Sequence, residues 1–207
     1  MNTGVATVST PVFTYTTKQT GPTTITVGAI DTDGVSSSGY TEGSVALRSG
    51  RLKLSNAFGT GESALAMQVQ TQYWSGKTWI ISAGDSCTSV PANAVALSNY
   101  TNAHGAAGSW STTPGAITIS NGLGALSLST PSPSGSGTVD VAVNLGSTAA
   151  DNACLGTHPA TTAGNLGWLR SRNGNCAATF DRDPAARATF GVYAPETRKT
   201  VHVRPMY

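Results

Sequence analysis

The sequence predicts an all-β fold, and within that class an antiparallel β-sandwich, immunoglobulin-like or jelly-roll-like, with long loops and at most one short helix. Apolar and polar residues alternate with a period of two, which is typical of half-buried strands. Clusters of Gly, Pro, Ser and Asn separate these segments and supply turn residues. No segment longer than about one turn has helical periodicity, so crossover helices are not expected. The best helical candidate is PAARA at 184–188.

The predicted strands follow one another along the whole chain. The clearest is SALAMQVQTQYW at 63–74, which places Leu65, Met67, Val69, Thr71 and Tyr73 on one face. The others are TITV around Ile25 and Val27, SVALRS around Val45 and Leu47, GRLKLSN around Leu52 and Leu54, TWIIS at 78–82, AITIS around Ile117 and Ile119, ALSLST around Leu126 and Leu128, TVDVAVNL at 138–145, TFGVY at 189–193, and TVHVRP around Val201 and Val203.

The turn in YWSGKTW, residues 73–79, can be assigned from its residues. Gly76 and Lys77 are expected to form a two-residue hairpin loop, because glycine takes the positive φ of the first central position in a type II′ turn. Trp74 and Trp79 then face each other across the hairpin. As a flat apolar platform, the pair is a candidate ligand-binding site for sugar rings. The alternative is that the two rings lock the hairpin or enter the core.

Composition limits the domain organisation and the partners. Charged residues make up 11% of the 207 residues, and the formal net charge is +2. No cluster of Lys and Arg precedes the last ten residues, so nucleic acid is not an expected partner. No apolar run approaches the roughly 20 residues that span a bilayer, so no membrane span is expected.

We expect residues 1–20 to be an N-terminal extension or the first strand of a fragment of a larger protein, and residues 21–207 to form a single β-sandwich domain.

An acidic loop, DTDGVSSSGYTE at 31–42, is a candidate metal site. Asp31, Asp33 and Glu42 occupy the first, third and twelfth positions of a potential calcium loop. Gly34 is displaced from the sixth position and the flanking segments are strands, which argues against an EF-hand. A structural calcium site of another kind and a plain Asx turn both remain, and the turn is favoured because Asp and Gly populate tight turns for backbone reasons. No other cofactor is expected.

A Gly84-Asp85-Ser86 triplet follows an apolar strand and superficially resembles the nucleophile motif of GDS-type esterases. Such a serine needs a histidine base from a late Asp-x-x-His motif and an alternating α/β fold. Here Lys199 stands where that motif would place the Asp before His202, and no helical crossovers are expected. His104, His158 and His202 lie on unrelated segments without neighbouring metal ligands. We therefore predict that the protein is not an enzyme.

The stretch FDRDPAARATFGVY at 180–193 concentrates charge in a chain that has little. Asp183 precedes Pro184 and is pushed towards extended geometry, so Asp181 and Asp183 are expected to flank a tight corner. Arg182 or Arg187 would compensate these carboxylates. A general acid/base pair is disfavoured, because alternate positions of one strand or turn are poor partners for opposite faces of a substrate. We interpret the cluster as a structural ion-pair corner.

Three cysteines are present, and Cys154 and Cys176 lie 22 positions apart in a stretch dominated by Asn, Gly and Thr. A disulfide between them would close a loop with little core of its own and would indicate an oxidising compartment. Cys87 would then be left over. The alternative is three buried free thiols, since no CxxC spacing indicates a metal site.

Six stretches taken together resemble the C-terminal domain of MshQ-like proteins, which belong to the mannose-sensitive haemagglutinin (MSHA) pilus system of Gram-negative bacteria. They are DTDGV at 31–35, SGRLKLSNAFG at 49–59, LAMQVQTQYWSGKTWI at 65–80, GDSCTS at 84–89, FDRDPAARATFGVY at 180–193 and VHVRPMY at 201–207. The matches occur in the same order over roughly residues 25–207. Gly84 stands where the family tends to have an acidic residue. The stretch with Cys154 and Cys176 looks like an insertion, which favours their pairing with each other.

This resemblance implies a non-enzymatic domain at the C-terminal end of an exported, pilus-associated or adhesin-like protein, acting in cell adhesion or surface assembly. The implied location is extracellular or at the cell surface, and the implied partners are pilus or cell-surface components and glycans. An alternative function is a carbohydrate-binding module that uses surface tryptophans. A GDS-type hydrolase built on Ser86 is the third.

Overall fold

The computed structural model describes residues 12–13, 20–151, 158–171 and 182–191, which form an all-β fold of two four-stranded sheets and two two-stranded ribbons. In chain order the strands are β1 (Thr23–Val27), β2 (Gly43–Leu47), β3 (Gly50–Leu54), β4 (Ala57–Gly59), β5 (Leu65–Trp74), β6 (Trp79–Ile81), β7 (Ser89–Val90), β8 (Val95–Asn102), β9 (Ile117–Thr118), β10 (Leu123–Leu128), β11 (Gly137–Val143) and β12 (Ala185–Phe190). The predicted strand around Val201 and Val203 lies outside the described residues, as do Cys154 and Cys176.

The first sheet is organised around β5, the longest strand. β3 pairs with one edge of β5, while β10 and β6 pair with successive parts of the other edge, all antiparallel. Thr71 joins these last two strands: its amide donates to the carbonyl of Gly122, and its carbonyl accepts from the amide of Ser82. Leu65, Met67 and Val69 are buried on one face, so the alternation predicted for this segment is confirmed.

The second sheet has the order β4-β12-β11-β8. The pairs β12-β11 and β11-β8 are antiparallel, whereas the short edge strand β4 runs parallel to β12. The chain therefore crosses from the first sheet to the second between β3 and β4, through residues 55–56. The two small ribbons, β1-β2 and β7-β9, are also antiparallel.

The core lies between the two sheets. Its fully buried members from the first sheet include Met67, Val69 and Leu126, and those from the second include Val139 and Val141. Phe190 of β12 is 1% exposed and makes an edge contact with Trp110, whose ring in turn meets Tyr100 edge-on. The predicted antiparallel β-sandwich is confirmed, with the parallel pair β4-β12 as a local departure.

The best helical candidate of the sequence, PAARA at 184–188, does not form a helix. Ala185–Phe190 is the strand β12, paired on one side with β11 and on the other with β4. Ala188 and Phe190 are buried, whereas Ala185 and Arg187 are exposed, as the alternation of side chains in a strand requires. Alanine favours a helix by less than about 1 kcal/mol per residue over most residues, and ladder bonds on two edges outweigh that preference. The helical content of the described residues is limited to two 3₁₀ turns, Ala92–Ala94 and Gly167–Leu169.

The predicted hairpin between β5 and β6 is confirmed. Trp74 is the register partner of Trp79, and Gly76 has a positive φ of 98°. The amide of Ser75 donates to the carbonyl of Thr78 at 2.9 Å. The amide of Thr78 donates back to the Ser75 Oγ at 3.1 Å, so a side chain closes the loop.

In the described part of the chain, no helix has the length and apolar character required to cross a membrane.

Two phenylalanines allow the packing to be tested. We expect Phe190→Ala to lower the free energy of unfolding by about 3–5 kcal/mol, because it removes a buried ring from between the sheets and leaves a cavity. Phe58→Ala is the matched control: its side chain is 66% exposed on the edge strand β4, so we expect a loss below about 1 kcal/mol. Urea unfolding followed by tryptophan fluorescence measures both, and equal losses would contradict the described core.

Candidate functional site

A cavity with a volume of about 810 Å³ opens beside the C-terminal half of β5. Its walls come from residues 12–13, the end of β2 with the start of β3, β5 itself, the segment 82–88 after β6 and the 3₁₀ turn Gly167–Leu169. Aromatic and polar side chains share the lining, and those that bear on function are Arg48, Thr71, Gln72, Tyr73, Asp85 and Trp168. A concave site of this size with a few polar groups is the usual form of a ligand pocket.

Asp85 organises the wall that the segment 82–88 provides. Its Oδ1 accepts hydrogen bonds from the amides of Cys87 and Thr88, and its Oδ2 accepts one from the Thr88 hydroxyl at 2.7 Å. Burial by itself would raise the pKa of Asp85, but these hydrogen bonds outweigh it and lower the pKa. The carboxylate is therefore ionised at neutral pH, and it holds the turn while facing the cavity.

Ser86 lies on the same turn but is not assembled into a catalytic pair among the described residues. Its Oγ accepts a hydrogen bond from the amide of Asn121 at 2.9 Å. His158 instead pairs through its Nδ1 with the hydroxyl of Ser98 at 2.8 Å. Burial lowers the pKa of His158, although the nearby charge of Asp140 opposes that shift. His202, the residue that the esterase interpretation would need, lies outside the described residues.

The tryptophan pair does not form the flat platform expected from the sequence. The rings of Trp74 and Trp79 are 5.5 Å apart between centroids and inclined by 61°, which is an edge contact. The guanidinium carbon of Arg51 lies 4.2 Å from the Trp79 ring centroid, and Arg51 Nε donates to Gln72 Oε1. One face of Trp79 is therefore covered by a cation. The geometry is that of a hairpin lock, the alternative that the sequence left open.

A similar stack lies on the cavity wall. The guanidinium carbon of Arg48 is 4.5 Å from the centroid of the Tyr73 ring, one residue before the tryptophan hairpin. Trp168, in the 3₁₀ turn that also lines the cavity, is 62% exposed. Trp74 and Trp79 are only partly exposed and do not line this cavity.

The acidic loop 31–42 is organised by local hydrogen bonds. Asp31 Oδ1 accepts hydrogen bonds from the amides of Asp33 and Val35, which is an Asx turn. Glu42 Oε1 accepts one from the Ser37 hydroxyl at 2.6 Å. Within the described ranges, no three His, Cys, Asp or Glu side chains are grouped so that they could hold a metal ion. The Asx turn that the sequence favoured at Asp31 is therefore present, and a calcium site at Asp31, Asp33 and Glu42 stays an untested prediction.

The charged stretch before β12 forms ion pairs, but not the pairs expected. Asp183 is fully buried, and its Oδ1 accepts from Arg170 Nε at 2.9 Å and from the Leu145 amide at 3.0 Å. Arg187 Nε donates to Asp140 Oδ1 of β11 at 2.7 Å. Arg182 pairs through its backbone with Ser171. Asp181 lies outside the described residues.

These partners follow from the fold. Arg187 and Asp140 are register partners on adjacent strands, so their side chains leave the sheet on the same face. Asp183 precedes the strand and is buried, and Arg170 from the segment 158–171 reaches its carboxylate. Arg170 also donates to the backbone carbonyl of Asp151 at 2.6 Å. The residues that sequence reasoning missed are therefore Arg170 and Asp140, and no local signal marks either one.

The pKa values of the Asp183 and Asp140 carboxyl groups are shifted in opposite directions. Burial raises the pKa of Asp183, while the hydrogen bonds from Arg170 and the Leu145 amide oppose that rise. For Asp140, burial would raise the pKa, but the hydrogen bonds from Arg187 and Asn99 and the charge of Arg187 outweigh it and lower the pKa.

Cys87, the cysteine that lies within the described residues, is exposed and free, and it lines the large cavity.

The fold and the cavity define a β-sandwich module whose ionised groups mostly serve its own architecture. Residues 48–204 match the family model described as DUF6701, fourth domain. Because the match covers more than half of the chain, the protein belongs to this family. Comparison with curated proteins finds no match, and comparison with solved structures finds none either.

The buried ion pair can be separated from the exposed one by matched substitutions. Arg170→Met is expected to lower the free energy of unfolding by about 3–5 kcal/mol at pH 7, because it leaves the Asp183 carboxylate buried without a cation. Arg187→Met is the control: its side chain is 59% exposed, so the loss is expected to stay below about 1 kcal/mol. Urea unfolding of the three proteins measures both.

The pH dependence of the same variants has a definite sign. In Arg170→Met the folded-state pKa of Asp183 rises further above its unfolded value, so the penalty exists at high pH and disappears as Asp183 becomes protonated. The deficit relative to the wild type therefore shrinks on acidification. Asp140 has a lowered pKa, so its contribution is present above the usual carboxyl range and is lost as pH falls through the folded pKa. A deficit in Arg170→Met that grows on acidification would contradict the assignment.

Proposed function

We propose that this chain is a non-enzymatic β-sandwich domain of an exported, pilus-associated or adhesin-like surface protein, in which it serves cell adhesion or surface assembly. The observation that carries the proposal is that the reactive side chains form contacts within the fold itself. Asp183, Asp140 and Asp85 bind guanidinium groups, amides and hydroxyls of the fold itself. Ser86 accepts from a backbone amide instead of meeting a histidine.

Two further points support a structural and adhesive role. The family is described as a fourth domain, so its members are modules of longer multidomain chains. Charged residues are only 11% of this chain, and the resulting hydroxyl-rich surface suits glycan and non-specific contacts better than electrostatic ones. The resemblance of six sequence stretches to MshQ-like proteins gives the proposal its pilus context.

A carbohydrate-binding function is the second candidate, and the large cavity favours it. Sugars are bound by stacking their C–H faces on aromatic rings while their hydroxyls meet charged and amide groups. Trp168 offers an exposed ring at the cavity, and Arg48, Gln72 and Asp85 line the same space. The hairpin pair is a weaker site, because Arg51 already occupies one face of Trp79.

The exported location is tested on intact bacteria that express the parent protein. Antibodies raised against this chain are expected to label unpermeabilised cells, because an adhesin domain must face the medium. A cytosolic marker that stays unlabelled controls for lysis. Labelling that requires permeabilisation would contradict the proposed location. Turnover of a generic ester that Ser86→Ala abolishes would contradict the non-enzymatic role.

The carbohydrate function is tested with a glycan array on the purified chain. We expect Trp168→Ala to weaken binding to a glycan hit by about tenfold or more, since base stacking on an aromatic ring is worth about 1–3 kcal/mol and sugar stacking is of similar kind. Trp74→Ala is the matched control and is expected to keep the binding. Loss in Trp74→Ala with retention in Trp168→Ala would move the site to the hairpin, and an array without hits would remove the function.

A further inference from the structure

The β1-β2 ribbon has one apolar face and one polar face. In its register Ile25 is opposite Val45, Thr23 is opposite Leu47, and Val27 is opposite Gly43. Because directly opposite residues in an antiparallel pair point to the same side, Ile25, Val27, Val45 and Leu47 share one face. Thr24, Thr26, Ser44 and Ala46 share the other.

The apolar face is only partly covered by the described residues. Val27 is 51% exposed and Val45 is 50% exposed, Ile25 and Leu47 are half-buried, and none of the four belongs to the core cluster. Ile30, Val35 and Tyr40, in the loop between the strands, are more than two thirds exposed. Among the described strands, β1 and β2 pair only with each other. A two-stranded ribbon of this kind is marginally stable alone, and its open edges are templates for pairing.

The position of the ribbon in the chain indicates what covers it. The match to the family described as a fourth domain begins at residue 48, and β2 ends at Leu47. The ribbon therefore lies immediately before this domain and is not part of the region that defines it. In a chain of successive domains, a segment at that position lies next to the preceding one.

The charges of residues 20–47 favour one kind of partner for the ribbon over another. Residues 20–47 carry Asp31, Asp33 and Glu42 and no Lys or Arg. A second copy of the ribbon packed on the first in the same direction would bring two such acidic loops together, which is unfavourable. A partner whose apolar sheet face is bordered by Lys or Arg would instead be complementary.

We propose that the apolar face of the β1-β2 ribbon docks on the domain that precedes it in the parent polypeptide, against an apolar β-sheet face bordered by basic residues. This inference rests on the proposed function, a module of a multidomain surface protein. The ribbon is then the joint between two modules. Burying Val27 and Val45 there removes half-exposed apolar surface from water, and it fixes the orientation of the sandwich relative to its neighbour.

The test is amide hydrogen exchange, followed by mass spectrometry, on two proteins: the 207-residue chain, and a longer fragment of the parent that includes the preceding domain. We expect the amides of β1 and β2 to exchange about tenfold or more slowly in the longer fragment. Peptides from β5 serve as the internal reference and are expected to be unchanged. Equal exchange of the ribbon in both proteins would overturn the proposal.

Two variants of the longer fragment identify the face involved. Val45→Asp places a charge on the apolar face and is expected to restore fast exchange in the ribbon. Ser44→Asp is the matched control on the opposite face and is expected to leave the protection intact. Equal effects of the two variants would overturn the assignment of the face. Val45-dependent dimerisation of the 207-residue chain, measured by light scattering, would assign the face to a second copy instead.

Failure of this joint is distinguishable from failure of the proposed function. Surface labelling of intact cells does not depend on the ribbon. Labelled cells with an unprotected ribbon would reject the joint alone. Unlabelled cells would reject the exported role whatever the ribbon does.

Discussion

The structure depends on one constraint, which is that β5 must bury a single face along most of its length. Met67 and Val69 are fully buried on that face, and each such side chain contributes about 1.5–3 kcal/mol when removed from water. The second sheet supplies the opposing layer through Val139 and Val141. Once β5 is fixed, β3 takes one edge, and β6 and β10 take the other. The tryptophan hairpin and the large cavity both lie at its C-terminal end.

Several ionised groups of this low-charge chain connect segments that are distant in the sequence. Arg170 and Asp183 attach the segment 158–171 to the entry of β12, and the Leu145 amide completes the shell around the carboxylate. Arg187 and Asp140 connect neighbouring strands across an exposed face. Asp85 closes the turn that forms one wall of the cavity. Carboxylates used in this way are not available as acids or bases, which connects the architecture to the proposed absence of catalysis.

The cavity and the ribbon lie side by side. Ala46, on the polar face of β2, is among the residues that line the cavity, whereas Val45 points to the other side. A neighbouring domain that covers the apolar face would therefore leave the cavity open. Under the proposed function, one strand thus separates a joint between modules from a surface that can meet a ligand.

The sequence by itself determined the fold class, the course of β5 and the tryptophan hairpin, because alternation and turn residues act between near neighbours in the chain. It also identified the Asx turn at Asp31 as the alternative to a calcium site, since the bonds to Asp33 and Val35 are local. Tertiary structure decided the state of residues 185–188, where pairing with β4 and β11 overrides the helix preference of alanine. It decided the partners of Asp183 and Arg187 as well, because Arg170 and Asp140 are brought to them only by sheet register and chain crossing. The cavity has the same origin: its walls come from five separate segments of the chain, and the sequence pattern of one segment does not predict its proximity to the others.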